Sequence, residues 1–443
     1  MPHAQNQDKT INASPTKDFF ITMLVRDIEL LDAIADLVDN CVDGARRLKP
    51  NGNYGGLWVR IETTGEHFKI ADNCGGISVE LARNYAFRFG RPKGMPETRH
   101  SVGQFGIGMK RALFKLGSHF VVKSATADSR FTIDVDVNEW KNDEDRWEFE
   151  FAQLAEAITV PADKRGTTIE VTSLNKGVAN EFGLENFRNR LTSTLAAKHE
   201  LSLQRGLSMT LNKTPLKFSA SEVLRSPELK PAYRELSYKP EGQTQVTVKL
   251  YLGISDSDPD AGGWYVYCNG RLVLEADKTS TTGWGEGHDV TIPKYHNQYA
   301  RFRGYAFFDC DDASLLPWNT SKTDMALDSP LYQAVRQQMI VLMRPVIDFL
   351  NRLRQEERIA LEGGATPLSD GIEEAKSVTL AKIRVQPTFA APRYVAVRKP
   401  KTSGTISYTK PLEDIRKVQR ALKVNSYKEV GEKTFEYFLN SEF

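Results

Sequence analysis

The chain has 443 residues, enough for two or three domains, and its 40% hydrophobic and 26% charged residues are typical of a soluble globular protein. A net charge of +2 excludes any argument from overall charge for a nucleic-acid or membrane partner. The polar amino terminus is not a signal peptide, and no apolar run approaches the length of a membrane span. Four scattered cysteines without a CxxC pair argue against a zinc site or a disulfide framework, so we expect a cytoplasmic protein.

The predicted elements begin after a disordered leader, residues 1–17. In the first half we expect helices over 29–48, 79–89 and 185–197, and strands over 57–63, 67–71, 120–125, 131–137, 147–151 and 165–171. The second half is mostly β, with strands over 244–252, 264–268, 271–274 and 303–308 and a long helix over 330–361. A loop-like stretch, 362–411, leads to two short helices over 412–424 and 427–439.

The first strong helix, 29–48, has an apolar face and an acidic stripe. The stripe consists of Glu29, Asp32, Asp36, Asn40 and Asp43, spaced three or four residues apart. Acids stacked in this way repel each other unless a cation or a polar ligand lies among them. The stripe contains no lysine or arginine, and asparagine is a poor helix former. The alternative is a solvated acidic face.

A second feature is the turn Asp72-Asn73-Cys74-Gly75-Gly76-Ile77, which follows a predicted strand. An aspartate at the end of a strand, followed by paired glycines, places a carboxylate at the floor of a pocket. Such a carboxylate can accept a hydrogen bond from an exocyclic amine, and the glycines let a flat ring lie close. The alternative is an ordinary turn between a strand and a helix.

The third feature is a segment with three glycines in six residues, Ser101-Val102-Gly103-Gln104-Phe105-Gly106-Ile107-Gly108-Met109-Lys110. An apolar-periodic run follows at once, so the glycines lie where a helix begins, and free amides there favour an anion such as phosphate. The segment is neither a P-loop nor a dinucleotide-binding fingerprint. The basic loop before it, 90–100, has the character of a mobile lid. The alternative is a flexible loop that caps a helix.

These features, together with Gly166-Thr167, occur in an order that resembles the GHKL superfamily of ATPases (gyrase, Hsp-type chaperones, histidine kinases, MutL). The resemblance covers residues 20–175, and the lid and glycine segment are most similar to the Microrchidia (MORC) branch and its bacterial relatives. Residues 267–272 and 319–324 are similar to the family's transducer domain. The implied fold is α+β, with a Bergerat-type α/β sandwich followed by an S5-like transducer. The implied division is a leader (1–17), an ATP-binding domain (18–199), a transducer (200–361), a basic linker (362–411) and a helical carboxy-terminal module (412–443).

The resemblance implies roles for individual residues toward ATP and Mg²⁺. Asn40 would hold the metal, Asp72 would bind the adenine amino group, and Thr167 would support it. Lys322 would reach the γ-phosphate from the second domain, which would couple nucleotide state to domain orientation. The remaining nucleotide contacts would be Gly76, Ile77, Gly103, Gln104, Phe105, Gly106, Ile107, Gly108 and Lys110.

Two residues depart from the family pattern. Asp36 occupies the place of the water-activating glutamate but is one methylene shorter, and a misplacement of about 1 Å can cost on the order of a hundredfold in rate. We therefore expect slow ATP hydrolysis. Cys74 occupies the place of a glycine, so a side chain must fit beside the base.

The leading hypothesis is an ATPase that forms a homodimer on binding ATP and acts on DNA, or on a nuclease or other DNA-processing partner, away from membranes. The basic residues of the segment 376–410 would contact phosphates, unless the segment is a solvated linker. The alternatives are a chaperone-like ATPase that acts on proteins and a nucleotide-sensing scaffold that does not hydrolyse ATP. A histidine kinase is disfavoured, because only His3 precedes the helix that carries Asp36.

Overall fold

The computed structural model describes residues 13–90, 99–103, 106–143, 145–239, 243–286, 291–360, 365–392 and 404–442. The predicted leader (except residues 13–17) and most of the predicted lid lie outside these ranges. The helices are α1 Lys17–Arg26, α2 Leu30–Leu48, α3 Val79–Leu81, α4 Gly108–Leu116, α5 Val137–Asn142, α6 Lys176–Gly183, α7 Glu185–Lys198, α8 Glu200–Gln204, α9 Pro330–Ala360, α10 Pro367–Glu373, α11 Leu412–Leu422 and α12 Tyr427–Glu442.

The strands fall into two large sheets and a small one. Their bounds are β1 Trp58–Thr63, β2 Phe68–Asp72, β3 Gly117–Ala125, β4 Arg130–Asp136, β5 Phe151–Ala155, β6 Gly166–Leu174, β7 Ser208–Leu211, β8 Thr214–Pro215, β9 Glu222–Arg225, β10 Ala232–Tyr238, β11 Val246–Ile254, β12 Gly263–Cys268, β13 Arg271–Asp277, β14 Phe302–Asp309 and β15 Lys376–Thr379.

The first sheet has the order β5-β4-β3-β6-β2-β1-β7-β8. Its pairs are antiparallel except β1 with β7, and the pairing of β2 with β6 places Asp72 opposite Thr167. Alternating apolar residues such as Val59, Ile61 and Val122 are completely buried between this sheet and the helices α2, α4 and α7. We call this part, residues 13–216, the first lobe.

The second sheet has the order β10-β11-β14-β12-β13. The long helix α9 packs on it, and the buried side chains of both form a second apolar core. The small sheet pairs β9 with β15. We call this part, residues 222–392, the second lobe. The observed mixture of helices and sheets confirms the α+β class, whereas the domain boundaries stay a prediction.

Four local predictions are wrong. Lys17 is not part of a leader but begins α1, where its buried ammonium donates to the backbone oxygens of Trp140 and Arg146, both at 2.7 Å. The predicted strand 147–151 begins only at Phe151, because Trp147 instead joins an aromatic cluster with Trp140.

The other two errors concern a helix and a loop. The predicted helix 79–89 ends at residue 86, and its last five residues form a π-helix. Residues 362–411 are not uniformly loop-like, since they contain α10 and β15. Glu356 fixes the start of α10 by accepting hydrogen bonds from the amides of Leu368 and Ser369, both at 2.8 Å.

The chain forms two compact units, Met1–Tyr394 and Val395–Phe443. Both lobes belong to the first unit, and the described part of the second consists of α11 and α12 with their flanking residues. Within the ranges given above, no helix is long and apolar enough to cross a membrane.

Candidate functional site

Helix α2 is the element on which the candidate site is built. Apolar residues recur along it every three or four positions, so that Ile34 and Val38 are completely buried. Asp36, Asn40 and Asp43 follow one another at the same spacing on another side. The helix therefore presents a row of polar oxygens to whatever chain segment lies beside it.

The glycine segment is that neighbour. A Cβ atom on Gly103 would lie 3.1 Å from Asp43 Oδ2 and 3.6 Å from Asn40 Oδ1. A Cβ atom on Gly108 would lie 3.0 Å from Asp36 Oδ2. A side chain at either glycine would therefore press on the polar residues of α2, which would have to shift to make room. The structure brings these predicted site residues together, while their contacts with phosphate stay a prediction.

The amides at the start of the glycine segment are occupied by a carboxylate of the protein itself. Asp43 accepts hydrogen bonds from the amide of Val102 at 2.9 Å and from that of Gly103 at 2.8 Å. Arg46, one turn further along α2, pairs with the same carboxylate at 3.2 Å. A phosphate that used the Gly103 amide would have to displace Asp43.

The rest of the segment leads into α4. Gly106 has a φ of 64°, which glycine adopts without steric cost, Ile107 is the residue before the helix, and Gly108 is its first residue. Gln104 and Phe105, also predicted to contact phosphate, lie outside the described residues.

The two cations at the start of α4 point to different partners. The ammonium of Lys110 donates to the backbone oxygen of Ala86 at 2.9 Å and to that of Gly106, and burial lowers its pKa to about 7. Arg111 instead reaches α2, where it pairs with Asp36 Oδ2 at 2.7 Å. The cation of α4 that meets the acidic stripe is therefore Arg111, which the sequence analysis did not single out.

Lys322 joins the second lobe to this site. Its loop precedes α9, and its ammonium lies 2.9 Å from Asp36 Oδ1 and 2.7 Å from Asp39 Oδ2. Burial opposes its charge, but the two carboxylates raise the pKa of Lys322 above its ordinary value. Lys322 has a φ of 55°, a conformation that non-glycine residues rarely adopt. The predicted pair of catalytic residues, Asp36 and Lys322, is thus in direct contact.

Asp39 is the centre of a buried ionic cluster that the sequence analysis missed. Arg271 Nε, at the start of β13, lies 2.9 Å from Asp39 Oδ1 without the alignment of a hydrogen bond, and His199 Nε2 lies 3.8 Å away. Burial opposes the charge of Asp39, but the charges of Arg271 and Lys322 lower its pKa below the ordinary value. Burial, together with the charge of Arg271, lowers the pKa of His199 to about 3, so the imidazole is neutral.

The acidic stripe therefore has cationic partners after all. Asp36 and Asp43 are paired as described above, and Lys198 on α7 pairs with Asp32 at 2.5 Å. The expectation of a stripe without lysine or arginine partners is wrong, because Arg46 follows Asp43 on the same helix and the partners of Asp32 and Asp36 come from distant parts of the chain. Asn40 remains exposed among these pairs.

The turn after β2 forms the other side of the site. Asp72 accepts a hydrogen bond from the Cys74 amide at 2.7 Å, and burial raises the pKa of its carboxyl. Gly76 has a φ of 74°, and a Cβ atom there would lie 2.1 Å from the carbonyl oxygen of Ala125. Only glycine fits this position without moving the backbone.

Ser124 connects the residues of this turn to β6. Its hydroxyl accepts a hydrogen bond from the amide of Ile77 at 2.8 Å and lies 2.9 Å from the hydroxyl of Thr167. Thr167 in turn lies opposite Asp72 in the sheet. The predicted nucleotide contacts Asp72, Ile77 and Thr167 are therefore neighbours, and Ser124 is a member of the group that the sequence did not reveal.

Helix α2 also touches this second side. A Cβ atom on Gly44 would lie 2.7 Å from the backbone oxygen of Cys74, and the side chain of Cys41 interacts with Asp72. Cys74 is buried, so its side chain is accommodated beside the helix. Both predicted halves of the site, the glycine segment and the Asp72 turn, consequently adjoin α2.

The second lobe holds the start of the glycine segment as well. Val102 packs into the second apolar core, and the side-chain amide of Asn269 donates to the backbone oxygen of Ser101 at 3.0 Å. The sequence analysis includes Asn269 only within residues 267–272, the stretch similar to a transducer domain, and gives it no role in the site. The sequence did contain an indication of this role, since Asn269 is a polar residue between two mostly apolar strands.

The donor set fits a magnesium-bound nucleotide. The amide nitrogen of Asn40 donates to the backbone oxygen of Asp36 at 3.0 Å, and its amide oxygen lies beside Gly103. No group of three or more histidine, cysteine or acidic side chains that could hold a metal occurs in the described part of the chain. Magnesium often uses one or two protein oxygens together with phosphate oxygens, so a site with Asn40 would depend on the nucleotide.

Comparison with known families agrees with this geometry. Residues 28–167 match the family model described as histidine kinase-, DNA gyrase B- and HSP90-like ATPase. The matched segment contains α2, the Asp72 turn, the glycine segment and Thr167, whereas Lys322 and Arg271 lie beyond it. The match confirms the GHKL resemblance at the level of the superfamily and supports ATP binding. No curated protein matches the chain.

Proposed function

We propose that this protein binds ATP with Mg²⁺ beside α2, hydrolyses it slowly, and uses it to close a homodimeric clamp on DNA or on a DNA-processing partner. The observation that carries the proposal is the contact of Lys322, from the second lobe, with Asp36 on the helix that the ATPase family model covers. Because Lys322 joins the lobes at this point, a change of its partner from Asp36 to a phosphate would alter the contact between the lobes. The proposed branch is MORC-like, and the second lobe would be the S5-like transducer.

The residues of the first lobe would bind and orient the nucleotide. Asp72, assisted by Thr167, would accept the adenine amino group, and Gly76 leaves room for the ring. Asn40 would hold Mg²⁺, which neutralises phosphate charge when bound. The amides and side chains between residues 103 and 110 would surround the phosphates.

Slow hydrolysis follows from the surroundings of Asp36. Both of its oxygens are engaged, one by Lys322 and the other by Arg111. With both oxygens already in contact with cations, the carboxylate has little freedom to turn toward an attacking water and accept its hydrogen bond. If Lys322 turns to the γ-phosphate, Asp36 loses one of these partners and is better able to orient water. The same movement would change how the lobes are joined.

The first prediction tests the role of Asp36. We expect Asp36→Ala to bind ATP as the wild type does and to release no phosphate. Asp36→Asn keeps the shape of the buried side chain and should behave in the same way, which guards against a folding defect. Binding of a fluorescent ATP analogue and phosphate release would be measured with and without Mg²⁺, with the surface variant Asp134→Asn as the control.

The outcomes separate the proposal from its alternatives. Unchanged turnover in both Asp36 variants would refute the role of this residue, and a wild type that does not bind ATP would refute the proposed function. Binding without any turnover in the wild type would indicate the nucleotide-sensing scaffold, which the double engagement of Asp36 favours as the second candidate. Dimerisation would be followed by light scattering with a non-hydrolysable ATP analogue.

A further inference from the structure

A large cleft between the lobes is not accounted for by the proposed ATP site. Its volume is about 1700 Å³, whereas small-ligand sites occupy roughly 300–1,000 Å³. Among the described residues assigned to ATP, Gly76 lines the cleft, but Asn40, Asp72 and Thr167 do not. The cleft therefore begins beside the proposed nucleotide site and extends well away from it.

The far wall of the cleft is an aromatic surface of the second sheet. Tyr251 on β11 and Phe307 on β14 both line the cleft and are half-buried. Tyr251 stacks on Tyr233 with 4.4 Å between ring centres, and Phe307 stacks on Tyr267 at 4.7 Å. Each ring is thus fixed by a second ring, and the two meet edge to face at 5.9 Å, which gives two rigid aromatic groups at little cost in conformational entropy.

Cations accompany this wall. Lys249 lies directly opposite Phe307 in the strand pairing and lines the cleft, as does the exposed Arg205. Neither side chain forms an ion pair within the described ranges. Four acids also line the cleft. Asp311 pairs with His100 at 3.2 Å, and Glu235, which lies opposite Lys249 on β10, accepts from the Tyr233 hydroxyl at 2.8 Å. Glu80 and Asp309 form no ion pair within the described ranges, and neither they nor Glu235 pair with Lys249 or Arg205. An anionic ligand could therefore contact these two cations without breaking an ion pair.

Fixed rings beside unpaired cations match the chemistry of a polynucleotide strand. Unstacked bases pack on aromatic faces, and lysine and arginine follow the phosphates. A duplex does not offer this combination, because its bases are already stacked on each other. A mononucleotide would occupy only part of the cleft.

We propose that this cleft binds single-stranded nucleic acid, with bases against Tyr251 and Phe307 and phosphates along Lys249 and Arg205. The inference deepens the proposed function by naming the class of nucleic acid on which the protein acts. Binding of a strand in the cleft requires no ATP hydrolysis, so nucleic-acid binding and the proposed ATP function can be tested separately on the same preparation.

The test is fluorescence anisotropy of a labelled oligothymidine of about twenty nucleotides, titrated with the full chain over a series of salt concentrations. We expect the wild type to bind and its affinity to fall with salt. Tyr251→Leu, which keeps bulk but removes the flat ring, should weaken binding on the order of tenfold. Lys249→Gln and Arg205→Gln should each lower the slope of log affinity against log salt by about 0.7.

The matched control is Lys123→Gln, which removes an exposed lysine from β3, outside the cleft. It should bind the oligonucleotide as the wild type does. The proposal is overturned if the wild type does not bind, if the cleft variants bind no worse than this control, or if a duplex competes as well as an unlabelled strand. Binding of the fluorescent ATP analogue by the same preparation tests the proposed function, and it should be unchanged in the three cleft variants.

Discussion

The two sides of the candidate site are held together by different forces. The ion-pair side consists of Asp36, Asp39, Lys322 and Arg271, whose buried charges join the two lobes. The hydrogen-bond side consists of Asp72, Gly76, Ser124 and Thr167, which all belong to the first lobe. The contacts of the ion-pair side can change only if the two lobes move relative to each other. The contacts of the hydrogen-bond side can all form within the first lobe alone. Under the proposed function, adenine would be bound within the first lobe and phosphate would be sensed at the contact between the lobes.

The largest expected effect comes from breaking the ion-pair side. Arg271→Met keeps much of the side-chain volume but leaves the buried Asp39 with less compensation, and breaking such a pair costs about 3–5 kcal/mol. We expect a loss of this size in the free energy of unfolding, measured by urea denaturation. Since Arg271 belongs to the second lobe, the variant should also weaken the attachment of that lobe, detectable as faster proteolysis between the lobes.

The control for this variant is an exposed ion pair. Arg83 lies 3.2 Å from Glu156, and both side chains are 50% exposed, so Arg83→Met should change stability by no more than about 1 kcal/mol. Equal losses in the two arginine variants would contradict the view that the buried cluster holds the lobes together.

The next effect comes from breaking the hydrogen-bond side. In Gly76→Ala the new methyl group would meet the carbonyl oxygen of Ala125 at 2.1 Å and would require a φ of 74°. Backbone strain and overpacking together predict a loss of roughly 2–4 kcal/mol in the free energy of unfolding. ATP binding should also be lost, because the turn that carries Asp72 must move.

Gly56→Ala provides a matched control for the backbone conformation. Gly56 has a φ of 86°, but a Cβ atom there would meet nothing within 4 Å. Its substitution should cost only the conformational penalty of about 1–2 kcal/mol and should leave ATP binding intact. If both variants behave alike, the close approach at Gly76 has no role in the site.

The sequence predicted the parts of the site that depend on local pattern. The helix that carries Asp36 and Asn40 follows from its apolar periodicity, and the turn at Asp72 and the glycine segment follow from their glycines. The cationic partners of Asp36 and Asp39 could not be predicted in this way. Arg111 and Arg271 lie 75 and 232 residues after their carboxylate partners Asp36 and Asp39, and periodicity carries no information on contacts at such separations.

The same distinction explains the errors in secondary structure. The predicted strand 147–151 is wrong at Trp147, where tertiary packing against Trp140 overrides the local strand preference of an aromatic residue. The buried position of Lys17 likewise depends on carbonyl groups more than a hundred residues away. Ser124 on β3 reads as an ordinary strand residue, and only its contacts with Ile77 and Thr167 assign it to the site.

The smallest expected effect is a pH dependence of the unfolding free energy, which would distinguish the two sides of the site through His199 on the ion-pair side. Its pKa is about 3 in the folded protein, because burial and then Arg271 disfavour the charged imidazole. The unfolded chain takes up this proton near pH 6.5, so acid favours the unfolded state between pH 6.5 and about 3. This residue should therefore lower the free energy of unfolding by up to about 1.4 kcal/mol for each unit of pH below 6.5.

The measurement is urea unfolding at pH 7, 6 and 5. His199→Gln should flatten the decline of the unfolding free energy with falling pH, and the control His67→Gln should preserve it. An unchanged slope in His199→Gln would contradict the assignment of the acid sensitivity to this residue. Asp72 on the hydrogen-bond side cannot cause the decline, because its raised pKa makes acid favour the folded state.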